Sequence, residues 1–550
     1  MKHDFQPKID QETHRVLLRY LTEIISETNG VSLLNTLDLL LMSDLKNQHH
    51  RAYELVDGFQ RLVRLFLINE ATIHHLLAHP VSDALFDFFK KFPLKYHEEH
   101  IHLTGSLSAE FIYPRLMELL KGPNKELYEQ KITEVYGPSA LPINNASDID
   151  KLIRLQEDEG FETYLKILYL PKLILVDKQA HADAAYHMAE EMYYKFNVGK
   201  VRLKFTLSRS SSNSTEQIPG ADDVKGEDVC LGLYDGFKKF QDTHPDFDFV
   251  LSPSFRKEAN FFDNQKFKSK KEHFLSQIAE IIRMIEDYPQ LKKHLCDIDT
   301  VGNENDLYRK EHFFELQSGF RKLQYHGFKI RSHHGETWHT LKKGIQAVDN
   351  AMNIWHIDNL EHGLSLGINP NFYFHRLYQQ VIEKNQSSKA ILNKDPQYKE
   401  LIELDWGSNR HVLDKLLAGI VLSSEEQISF LKAKFHTARE VEHYQHDVLN
   451  RMIQKGVTLI SLPSSNNKLT GKFEDYKDHP FSWWEKKSVN LGMGTDNYIT
   501  LNTNYIQEML ILLFTDANDL KITKLLMVAT NEVRRPYISH LLWKMRKKLV

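Results

Sequence analysis

Eight short apolar runs, each closing on polar or glycine residues and each separated from the next by a helical stretch, constrain this chain more than any other feature. The first ends at His97-Glu98-Glu99-His100-Ile101-His102-Leu103, and the others span 201–208, 247–252, 296–302, 328–333, 354–362, 457–463 and 489–496. Strands that alternate with helices build a parallel sheet, because joining parallel neighbours takes a crossover long enough to hold a helix. Eight such units predict an α/β chain folded as a (β/α)8 TIM-type barrel. Chemistry in that barrel sits at the carboxyl ends of the strands, so the residues closing each run are the candidates to weigh.

Two regions exceed the barrel pattern. From Gln11 to about Phe92 the spacing is helical, with Val16, Leu17, Tyr20, Leu21, Ile24 and Ile25 on one face and a break near Gly30. This predicts an N-terminal helical region over 1–92 and a barrel over 93–550. The connection between the sixth and seventh runs, about 368–456, is too long for one helix and predicts a helical insertion, including the charged stretch 424–454. Ser108 suits the start of a helix after the first strand. The serine-rich stretch 208–214, continuing to Gly226, is a candidate lid over the barrel mouth. The N-terminal helices and the insertion are the candidate surfaces for a homo-oligomer.

Composition narrows the setting. A 41% hydrophobic, 26% charged chain of 550 residues can bury a large core. Lys plus Arg total 70 against 74 Asp plus Glu, a net charge of -4, so nothing argues for nucleic acid or a membrane surface as partner. No run approaches the roughly 18 apolar residues of a membrane span. Two cysteines make no disulfide framework, which suits a reducing compartment and a cytoplasmic protein.

His100 and His102 lie one residue apart and so share a strand face, where both imidazoles can reach one metal ion. The fifth run closes on His333-His334-Gly335-Glu336, the sixth on Glu361-His362-Gly363, and the eighth on Gly494-Thr495-Asp496-Asn497. Three imidazoles and one carboxylate with a position left for water make a plausible catalytic zinc set.

In strand order these motifs resemble the adenosine and AMP deaminase branch of the metal-dependent amidohydrolase superfamily, from His100 to about Asn504. Asp299-Thr300-Val301-Gly302-Asn303-Glu304, Leu462-Pro463-Ser464-Ser465-Asn466 and His479-Pro480 also match the family's pattern. The resemblance implies one Zn²⁺ per subunit on His100, His102, His333 and Asp496. It implies Glu336, His362 and Asp496 as catalytic residues: His362 and Asp496 hold and deprotonate the attacking water, while protonated Glu336 donates to purine N1. The product is the inosine form plus ammonia. Gly302 and Asn303 would lie along the far edge of the base.

Three positions depart from the family. Thr104 stands where nucleoside-specific members carry an aspartate that binds the ribose 5′-hydroxyl; losing that anion favours a phosphorylated substrate, AMP, ATP or a deoxy form. Arg209, Arg256 and Lys257 are the candidate phosphate partners. Asn497 replaces an aspartate that contacts purine N7 and can donate from its amide instead. His334 replaces a small alanine. The competing readings are a superfamily enzyme acting on another base or an amide, and a barrel kept as an assembly module. An oligomer that depletes nucleotide, as some bacterial antiviral deaminases resembling this family do, would join enzyme and assembly.

Overall fold

The computed structural model describes residues 9–156, 159–207, 224–473 and 475–549. Eight strands form one sheet in sequential order: β1 (Tyr96–His102), β2 (Val198–Thr206), β3 (Asp248–Arg256), β4 (Asp297–Val301), β5 (Lys329–His334), β6 (Asn359–His362), β7 (Thr458–Ser461) and β8 (Asn490–Met493). All neighbours are parallel. The sheet closes beyond the end of β8, where Ile101 bridges Asp496, His102 N donates to Asp496 O at 2.8 Å and Asp496 N donates to His100 O at 2.8 Å. The expected (β/α)8 barrel is thus present, and its seam falls on three of the residues singled out from the sequence.

Two strand boundaries move for identifiable reasons. The run 354–362 yields a strand only from Asn359, because Ala351–Trp355 continues the preceding helix as a π-turn. Trp355 is buried there between Phe313 and Phe320, with ring centroids 4.7 and 4.6 Å away. A short apolar run does not by itself distinguish a strand from a buried helix end. The run 457–463 stops at Ser461, since Pro463 opens the helix Pro463–Thr470, where a missing N–H costs nothing.

The leader contains the helices Gln11–Glu27, Leu33–Met42, Leu45–Gln48, His50–Leu67, Ile73–Leu77 and Pro80–Lys90. Its apolar faces join the core that surrounds the barrel. Gly30, at φ 65°, lets Val31 accept from Ile522 N at 3.2 Å, and Arg546 bonds Glu23 at 3.0 Å and Glu27 at 2.8 Å, tying the first helix to the last. The connection from β6 to β7 holds Pro370–Gln386, Tyr398–Ile402, Arg410–Ala418 and the 32-residue Ser424–Lys455, which Ser423 and Glu426 cap reciprocally.

Charge lies at the centre of the barrel, an environment usually filled by branched aliphatic side chains. Lys204 of β2 is fully buried between Asp299 of β4 and Glu361 of β6, with Nζ 3.0 and 3.2 Å from their carboxylates. Arg331 of β5 donates to Glu361 at 2.5 Å, and Arg202 of β2 donates to Glu99 of β1 at 2.9 Å and also pairs with Asp297. Removing one partner from such a cluster leaves an uncompensated buried charge. Lys204→Met should therefore lower unfolding stability by about 3–5 kcal/mol, read from the urea midpoint. An unchanged midpoint would show that the carboxylates do not need the ammonium.

Candidate active site

The ends of β1, β5, β6 and β8 bring the expected ligands together. Alternation along β1 turns Ile101 outward and His100 and His102 inward, and their Nε2 atoms lie 3.1 Å apart. Two bonds of about 2.0–2.1 Å meeting at a near-tetrahedral angle would separate two zinc-bound nitrogens by about 3.3 Å. Asp496 Oδ1 lies 3.7 Å from His100 Nε2 and 3.4 Å from His102 Nε2. Donor atoms of His100, His102 and His333 all fall within 4.8 Å of one another, as do those of His100, His362 and Asp496. Burial holds the pKa of His100, His102 and His333 well below the usual imidazole range, and their proximity to one another adds to it. Neutral rings with free lone pairs are what a divalent ion requires, so the donor set fits one.

The charged layer aims these ligands. His100 Nδ1 bonds Glu361 Oε2 at 2.6 Å and His333 Nδ1 bonds Asp299 Oδ1 at 3.1 Å, which fixes each ring and leaves its other nitrogen for the site. Burial opposes ionisation of Glu361, but Arg331 and Lys204 outweigh it and hold its carboxyl at about 2. Neither Lys204 nor Glu361 stands out as catalytic in the sequence. The available signal was a charge inside a run otherwise fit for burial.

His362 and Asp496 both adopt left-handed backbone, φ 64° and φ 62°. His362 Nδ1 bonds Asn466 Oδ1 at 2.8 Å, and Asn466 Nδ2 in turn meets His479 Nε2 at 3.1 Å. His362 Nε2 is buried without a hydrogen-bond partner among the described residues, and burial keeps its pKa low. Ser465 donates to Asp496 Oδ2 at 2.5 Å. The segments around 462–466 and 479–480 thus hold the side chains of His362 and Asp496 in place.

Glu336 follows β5, with Oε2 3.8 Å from His362 Nε2. Burial pushes its carboxyl up to about 7, Asp299 adding to the rise and Lys257 opposing it. Its loop hangs from Glu304, whose carboxylate accepts from the N–H groups of Gly335 at 3.0 Å, Glu336 at 2.6 Å and Thr337 at 2.6 Å. Gly335 is required there, since φ is 69° and a Cβ would collide with Ser365.

The remaining candidates take the following positions. Both amide hydrogens of Asn497 are engaged, at 2.6 Å to Tyr164 Oη and 2.6 Å to Asp496 Oδ1, and Oδ1 covers Gly105. Asn497 therefore has no donor left for a purine N7 and acts instead as a brace between Asp496 and Tyr164. Lys257 is buried and donates to His333 O, and Arg256 is paired with Glu258, so neither is free for a phosphate. Glu258 packs on Gly302, at φ 106°, and accepts from Asn303 N at 2.9 Å. Thr104 is half-buried in the turn after β1. Arg209 and the serine-rich stretch 208–214 lie outside the described residues. His334 points away from the site, bonded to Ser332 Oγ at 2.6 Å and packed against Phe313 and Trp355, which accounts for a bulky residue at that position. Among the described residues, no helix is long and apolar enough to cross a membrane.

Comparison of the sequence with family models and with curated proteins gives no match. Solved structures with a similar fold include an adenine deaminase from Arthrobacter aurescens, at 12% identity over 83% of this chain and 99% of that one, TM-score 0.48. An amidohydrolase from Burkholderia ambifaria with bound zinc is similar at 12% identity over 82% and 93%, TM-score 0.46. The N6-methyl-AMP deaminase of Arabidopsis thaliana is similar at 12% identity over 84% and 98%, TM-score 0.46.

The raised carboxyl of Glu336 has a thermodynamic consequence. Its folded pKa of about 7 exceeds the ordinary 4.5, so its contribution to stability is complete below pH 4.5 and is lost as pH rises through 7. Metal-free wild type should lose on the order of 3 kcal/mol more between pH 4.5 and 7.5 than Glu336→Gln does. Urea unfolding of both proteins at the two pH values checks this, and parallel losses would mean that Glu336 is not held neutral.

Proposed function

We propose that this chain is a metal-dependent hydrolytic deaminase of the adenosine and AMP deaminase type, with an adenine nucleotide as substrate. One observation carries the reading. A half-buried carboxyl pushed up to about 7, Glu336, and a buried imidazole whose Nε2 has no hydrogen-bond partner among the described residues, His362, flank a donor set of three histidines and one aspartate at the carboxyl end of the barrel.

His100, His102, His333 and Asp496 would hold the ion, one per subunit, with zinc favoured by the nitrogen-rich set. Bound there, it supplies Lewis acidity that lets water ionise near neutral pH. The protein does the rest by position and charge. His362, with Nδ1–H committed to Asn466, takes the proton of the attacking water on Nε2. Asp496, steadied by Ser465 and Asn497, orients that water toward the ring carbon bearing the exocyclic amine. Glu336 gives its proton to the adjacent ring nitrogen, so negative charge does not accumulate on the base as the C–O bond forms. Breaking the C–N bond with proton transfer to nitrogen releases ammonia and leaves the inosine form. Thr104 supports the phosphorylated substrate, because a neutral side chain at the sugar end removes the repulsion an aspartate would exert. With Arg256 and Lys257 engaged elsewhere, Arg209 remains the cation proposed for that phosphate.

Purified protein should contain one equivalent of zinc by elemental analysis and should deaminate AMP or ATP, or their deoxy forms, faster than adenosine in an ultraviolet absorbance assay. Glu336→Gln should keep the metal and lose about 10²–10⁴-fold in kcat. Thr104→Asp should shift the ratio of kcat/KM toward adenosine. Near-normal turnover by Glu336→Gln would overturn the mechanism, and a gain for phosphorylated substrates in Thr104→Asp would overturn the substrate assignment. Activity confined to another base or an amide would move the chain to the second reading within the superfamily.

A further inference from the structure

In the connection from β6 to β7, the helix Ser424–Lys455 carries an apolar stripe that nothing among the described residues covers. Ile428 is 52% exposed, Leu431 36% and Phe435 53%, and just before the helix Ile420 and Val421 are 52% and 50% exposed. Spacings of three and four residues put 428, 431 and 435 on one face. That face is opposite the one that packs inward through Phe430, Ala433, Thr437 and Val441. Single exposed hydrophobics need no explanation, but a contiguous row of them marks a contact surface.

The ends of the stripe indicate what fits it. Glu425 lies one turn before Ile428 and Arg439 one turn after Phe435, both exposed. Their neighbours Glu426 and Glu440 are already paired, with Lys415 and Lys342, whereas among the described residues Glu425 and Arg439 are in no ion pair. Along the helix the face therefore runs acid, apolar, base from Glu425 to Arg439, about 21 Å at 1.5 Å per residue. Laid antiparallel on itself, it sets Ile428 of each copy on Phe435 of the other and brings each Glu425 beside the opposite Arg439. Laid parallel, it opposes like charges. Lys432 and Lys434 flank the apolar centre, with stems that can lie along it while their ammonium groups stay in water.

We propose that this face is a two-fold interface between two copies of the chain, made by antiparallel pairing of the helix Ser424–Lys455. Such a contact is isologous, the same patch serving both partners, and it closes at two copies. It is independent of the chemistry proposed for the barrel and can fail or hold without it.

Sedimentation or mass photometry of the full chain at micromolar concentration should give twice the chain mass. Phe435→Ser and Ile428→Ser, both at exposed positions, should return the monomer without lowering the thermal midpoint. Glu425→Arg alone and Arg439→Glu alone should each raise the dimer dissociation constant about tenfold or more, since like charges then face each other, and the two together should restore it. A monomeric wild type overturns the proposal. So does a dimer indifferent to the serine variants, or a charge-reversed pair that fails to recover.

Discussion

The candidate site depends on one buried ammonium. Lys204 bridges two carboxylates, Asp299 and Glu361, of which Glu361 is also held by Arg331, and each of those carboxylates bonds the Nδ1 of a candidate ligand histidine. In a medium of low dielectric such groups are stable only as a balanced set. The set runs across β2, β4, β5 and β6, so the aim of His100 and His333 is linked to the register of the whole barrel. Solvent-exposed side chains could not hold imidazole lone pairs this rigidly, because each would sample several rotamers.

A second constraint is geometric. The barrel closes at Asp496, whose backbone pairs with His100 and His102 while its side chain turns into the site. Asp496 and His362 both occupy a backbone region that costs non-glycine residues of order 1–3 kcal/mol, and Ser465, Asn466 and the β8–β1 seam hold them there. Strain of this kind concentrates where a side chain must point in a direction that a regular strand does not offer. Gly105 and Gly335 give way at the same places, one to the amide of Asn497 and the other to Ser365.

Electrostatics separates roles among residues of the same type. Arg331 and Lys204 hold the carboxyl of Glu361 at about 2, whereas Glu336, with no cation in direct contact among the described residues, is pushed by burial to about 7. One carboxylate is a fixed anion that orients His100, and the other can carry a proton at neutral pH. The difference between them is environment, which is how paired acid and base groups are produced from ordinary side chains.

The alternation of apolar runs with helical stretches was sufficient to expect the eight-stranded barrel, since side-chain periodicity and crossover length are local properties of the chain. The positions of His100, His102, His333, Glu336, His362 and Asp496 at strand ends were legible for the same reason. Three things were not: the carboxylates behind the ligands, the engagement of Lys257 and Asn497, and the outward direction of His334. Residues such as Lys204 and Glu361 lie 157 positions apart in the chain, and only closure of the barrel brings them within 3.2 Å. Whether a lysine is a free cation or a buried strut, and whether an amide faces a ligand or a neighbouring turn, follows from those long-range contacts. Local sequence sets which residue ends a strand; tertiary packing decides what that residue is free to do.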